Sequence, residues 1–129
     1  MTRALLLLAA LFMPAAAAGQ PCELPGSVAQ KLQSPSHVAL LRTQPASLKV
    51  GEHFVLEFAV CPPPTAVRVD ATMPEHRHGM NYRPTIAALG GGRYRAEGLM
   101  FHMAGRWELV FEVRSKGATE RVAQSLRLE

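Results

Sequence analysis

Nine consecutive residues, His53 to Cys61, alternate without a break: Phe54, Leu56, Phe58 and Val60 fall on one face, with His53, Val55, Glu57, Ala59 and Cys61 on the other. A period of two marks a strand with one buried face. Pro62, Pro63 and Pro64 forbid its continuation, because proline has no amide hydrogen to give a ladder. Arg106 to Ser115 repeats the pattern with Trp107, Leu109, Phe111 and Val113 on one face. Strands of this kind cannot hide their apolar faces alone, so they demand a second packed layer.

Shorter segments around these two extend the pattern. Val38–Leu41 and Leu48–Val50 are short apolar runs, the second ended by the turn signal Gly51-Glu52. Val67 to Thr72 alternates, Pro84 to Leu89 reads as a short strand before Gly90-Gly91-Gly92, and Arg93 to Met103 as a longer one. After the turn at Lys116-Gly117-Ala118, Thr119 to Leu128 closes the chain. Met73 to Arg83 loses the alternation and carries Pro74 and Gly79, which predicts a loop. About seven strands with Gly/Pro turns and no long helix predict an all-β fold, an immunoglobulin-like antiparallel β-sandwich.

The first residues have the grammar of a secretory signal peptide: Arg3, an apolar run from Ala4 to Met13, Pro14, and Ala16-Ala17-Ala18 as the cleavage site. The run is short of the roughly 20 residues that span a bilayer. Residues 1–18 are therefore expected to be removed, leaving about 110 residues, enough for one domain. The expected organisation is an extended arm over 19–36, compatible with a short helical turn at Ser27–Leu32, and the β-sandwich over 37–129. The expected location is periplasmic or secreted, with no membrane span in the mature chain. A formal charge of +4, with arginines scattered along the chain, describes a solvated surface and gives no footprint for nucleic acid.

Two cysteines, Cys22 and Cys61, remain in the mature chain. An even count in an oxidising compartment predicts a disulfide, the alternative being a thiolate metal ligand.

Four methionines lie beyond the leader, and all of them (Met73, Met80, Met100 and Met103) fall between positions 73 and 103, together with His76, His78 and His102. Thioether sulfur with imidazole nitrogen is the ligand pair that selects copper, Cu(I) ahead of Cu(II). In Met73-Pro74-Glu75-His76-Arg77-His78-Gly79-Met80 four donors can converge within one excursion of a loop. In Arg93–Met103, if extended, Met100 and His102 share one face and Leu99, Phe101 and Met103 the other. Structural zinc would favour cysteines or four nitrogens, and calcium and magnesium need oxygen ligands, of which the segment offers only Glu75 and nearby Asp70. The candidate copper ligands are Met73, His76, His78, Met80, His102 and Met103. Met100 and Met103 are equally readable as core filler, Met103 beneath Trp107, and His37 and His53 as surface residues.

Met73-Pro74-x-His76-x-His78-Gly79-Met80, Gly92-x-Tyr94 and Phe101-x-Met103-x-Gly105-x-Trp107-x-Leu109 resemble the YtkA-like family of small exported β-sandwich domains, related to the FixH-like proteins. The resemblance covers roughly Pro45 to Val113. It implies an immunoglobulin-like sandwich and copper handling or cytochrome oxidase maturation. It makes Met73, His78 and Met103 matches to recurring ligand positions, and Gly105 and Trp107 structural.

The chain is thus expected to be a copper-binding protein that serves a periplasmic or membrane copper-acceptor protein. The alternative is a non-metal accessory or interaction domain with a Met-rich contact surface. No Ser-His-Asp set in a supporting motif, phosphate-binding glycine loop or reactive-thiol signature is visible, so an enzyme is not expected.

Overall fold

The computed structural model describes residues 22–28 and 30–129; the expected signal segment, 1–18, lies outside the described residues. The described strands are β1 (Gln30–Gln33), β2 (Val38–Gln44), β3 (His53–Cys61), β4 (Ala66–Met73), β5 (His78–Gly79), β6 (Thr85–Gly90), β7 (Arg93–Met100), β8 (Gly105–Ser115) and β9 (Ala118–Leu128). They form two antiparallel sheets, β1-β2-β3-β7-β6 and β5-β4-β8-β9. Without β1 and the two-residue β5, the orders β2-β3-β7-β6 and β4-β8-β9 are the A-B-E-D and C-F-G sheets of a constant-type immunoglobulin domain. The chain is an all-β sandwich, and its backbone of seven strands is the expected one with two additions.

The two alternating strands supply the facing halves of the core. Phe54, Leu56, Phe58 and Val60 of β3, and Trp107, Leu109, Phe111 and Val113 of β8, are each no more than 3 % exposed. Phe58 meets Phe111 edge-on across the sheets at 5.3 Å between ring centres. Towards one end of the sandwich, Phe101 bridges Phe54 and Trp107, 5.0 Å from each. Cys22 and Cys61 are joined by a disulfide that ties the N-terminal arm to the end of β3. Closing a loop of this length stabilises a fold by about 4 kcal/mol in the chain-entropy view. It also takes both sulfurs out of contention as thiolate ligands.

Five local expectations need correction. Gln30–Leu32 belong to strand β1, held by backbone pairing to β2, where a helical turn was compatible with the sequence. Leu48–Val50 is a turn segment whose half-buried Leu48 and Val50 lean on the core; the Gly51 amide anchors it by donating to the Phe101 carbonyl at 2.9 Å. The 73–83 loop contains β5, and β7 stops at Met100 instead of running to Met103. His37, expected at the surface, is only 7 % exposed, because its ring is clasped between β8 and β9 through Ser115 and Glu120.

Candidate metal centre

A bulge in β7 decides which side chains reach the rim. Phe54 pairs with Leu99 and Leu56 with Ala96, so Val55 alone opposes Glu97 and Gly98. Gly98, at φ +83°, adopts the left-handed backbone that this extra residue requires. The insertion reverses the alternation: Ala96 points inward, and so do Leu99 and Phe101, all fully buried. Met100 and His102 are thereby released from the core, and both are half-buried.

The β4–β5 hairpin brings the second group of residues to the same end. Met73 and His78 are its closing cross-strand pair, and partners across a ladder project to the same face. The turn between them is fixed by the His76 amide donating to the Met73 carbonyl at 3.1 Å, and by Arg77 at φ +53°. Glu75 at the tip reaches Arg106 of β8 at 3.3 Å. One step beyond the last β4–β8 pair, Thr72 with Glu108, Met73 comes level with Trp107.

These placements line up three imidazoles beside one indole. The His78 ring centre lies 5.7 Å from that of His76 and 5.3 Å from that of His102. Trp107 approaches His78 at 6.0 Å and His102 at 5.4 Å, edge to face. Its own position is locked by full burial and by the indole N–H donating to the Met103 carbonyl at 2.9 Å. A metal–imidazole bond of about 2.0 Å places two rings on one ion with their centres roughly 5–6 Å apart, so the observed spacings are of the right order.

The donor atoms suit a soft or borderline ion. His78 Nδ1 is 3.1 Å from the Gly79 carbonyl; a carbonyl only accepts, so Nδ1 carries the hydrogen and Nε2 is left with its lone pair. Among the described residues, His102 Nδ1 is buried and has no hydrogen-bond partner, which is costly for a polar atom unless a ligand satisfies it. His76 is exposed at the hairpin tip. Among the described residues, no three His, Cys, Asp or Glu side chains already converge on one point, so a shared ion needs rotation of the exposed His76 or a thioether in its place.

The methionines divide. Met73 is fully buried, and its Cε would lie 2.8 Å from a β-carbon on Gly105. It therefore belongs to the core, on the same face of the sheet as its ladder partner His78. Met80 is half-buried against the core. Met103 is 37 % exposed, and its carbonyl accepts the indole N–H of Trp107. His53, outside the cluster, is exposed with its ring 5.6 Å from Tyr82. The proximity of Trp107 to both His78 and His102 has no local sequence signal, since it depends on β4, β8 and the β7–β8 connection meeting.

No protein-family model matches the chain, and no curated protein and no solved structure matches it.

Proposed function

We propose that the chain is an exported copper-binding protein, which holds the ion as cargo at this rim for handling or delivery in the periplasm. The observation that carries the reading is the His78 ring standing between those of His76 and His102, at 5.7 and 5.3 Å. His78 and His102 are the core ligands in this reading. Met80 and Met103 supply the thioethers that tilt the preference towards Cu(I), and Met73 stands on the same sheet face as His78. Thioethers hold Cu(I) without deprotonation and are not lost to disulfide formation where thiols are oxidised. Exposed His76 and Met103 are the groups through which a periplasmic or membrane acceptor protein can take the ion by ligand exchange. The likeness to YtkA-like and FixH-like sequences fits the same role.

An anaerobic competition for Cu(I) against a chromophoric chelator tests the reading. The wild-type protein should withdraw copper from the chelator, and a His78→Ala/His102→Ala double variant should bind at least about 100-fold more weakly while keeping its β-sheet circular dichroism. Failure of the wild type to compete, or full affinity in the double variant, overturns it.

A further inference from the structure

At the far end of β8 from the rim, three side chains that are distant in sequence form a hydrogen-bonded relay. His37 Nδ1 lies 3.0 Å from Glu120 Oε2, and His37 Nε2 lies 3.1 Å from Ser115 Oγ. An ionised carboxylate only accepts, so in the neutral ring Nδ1 carries the hydrogen and Nε2 turns its lone pair to the Ser115 hydroxyl. The carboxylate is itself held in place: the Ser34 hydroxyl and the Ser36 amide donate to the same oxygen. The bonds from Ser34 and His37 keep the Glu120 carboxyl ionised, lowering it to about 2. His37 is thus a buried imidazole fixed in one tautomer between a carboxylate and a hydroxyl, an arrangement that burial and packing alone do not require.

The hydroxyl has access to a substrate. Ser115 is half-buried, and with His37 it borders a hollow of about 380 Å³ walled by Pro62, Pro63, Lys116 and Ala118. Ser115 pairs with Ala118 across the β8–β9 turn, whose tip residues Lys116 and Gly117 have φ of +50° and +78°. Among the described residues, neither tip amide donates to a backbone acceptor in a turn or loop. An amide directly after a nucleophile is where acyl-transfer sites place a donor for the developing oxyanion.

We propose that Ser115, His37 and Glu120 form a nucleophile site that cleaves short-chain carboxylic esters. Ser115 Oγ forms a bond to the ester carbonyl carbon as its proton passes to His37 Nε2. The tetrahedral intermediate collapses with rupture of the carbon–oxygen bond to the alcohol, which leaves with that proton. Water then adds to the acyl-serine, His37 again taking a proton and returning it to Ser115 Oγ, so the net change is ester plus water to acid plus alcohol. Glu120 holds the ring in its tautomer and stabilises the imidazolium. The apolar wall of prolines and Ala118 suits a short acyl chain. This site is independent of the copper reading.

Two measurements on the full mature protein test it. A fluorophosphonate probe should label the folded wild-type chain once, at Ser115 by peptide mapping, and Glu120→Gln should slow the labelling at least about tenfold. Hydrolysis of p-nitrophenyl acetate should fall at least about 100-fold in Ser115→Ala. An unlabelled Ser115 in the folded wild type overturns the proposal. So does wild-type hydrolysis in Ser115→Ala, the result expected if exposed histidines such as His53 and His76 act alone. The labelling needs no variant, so it decides the matter even where a substituted chain does not fold.

Discussion

Met73 and His78 close the β4–β5 ladder as cross-strand partners, so a fully buried thioether and a half-buried imidazole share the inner face of one sheet. Met73 is therefore part of the core as well as of the candidate site. Met73→Ala should cost about 2–5 kcal/mol in urea unfolding, by lost contacts and the cavity left behind. Met73→Leu, which conserves volume, should cost less than about 1.5 kcal/mol and so separates the thioether from the packing. A Met73→Ala chain as stable as wild type would show that the side chain is not part of the core.

Gly105 is the backbone half of the same contact. Its φ of +124° lies outside the range that side chains readily adopt, and an added β-carbon would sit 2.8 Å from Met73 Cε. Gly105→Ala should destabilise the fold by about 2–4 kcal/mol, from left-handed strain and overpacking together. Combining it with Met73→Ala should recover part of the loss, because the colliding methyl is gone. Strict additivity of the two substitutions in a double-mutant cycle would refute the contact.

The sandwich was legible because β3 and β8 each place four large apolar residues at every second position, and because Pro62–Pro64 and Lys116-Gly117 punctuate the pattern. What escaped the sequence were features made by pairing. In β1 only Leu32 is apolar, so its ladder with β2 leaves no hydrophobic period. Which residues of β7 face inward turned on the bulge at Gly98, and a lone glycine in a strand does not announce the phase that follows it. His37 looked like a surface residue because its partners stand 78 and 83 positions away. The Met/His cluster was visible as composition; that His78 lies between His76 and His102, with Trp107 alongside, required the hairpin and the β7–β8 connection to meet.

Acid should expose the Glu120 clasp. Its carboxyl falls from an ordinary value of 4.5 to about 2 in the folded protein, through hydrogen bonds from Ser34 and His37. The folded state binds that proton less readily than the unfolded chain, so the stabilisation is present above about pH 4.5 and is lost as pH falls towards 2. Glu120→Gln should flatten this part of the melting-temperature profile between pH 4.5 and 2. Equal slopes for the two proteins across that window would contradict the clasp.

The copper reading is tested most directly by the emission of Trp107, the one tryptophan in the chain, 6.0 Å from the His78 ring and 5.4 Å from that of His102. Anaerobic titration with Cu(I) should quench that emission to an endpoint of one equivalent, zinc at the same concentration should leave it nearly unchanged, and the His78→Ala/His102→Ala variant should show no endpoint. Emission that stays constant through an excess of Cu(I), or an endpoint that survives in the double variant, would contradict a copper site at this rim.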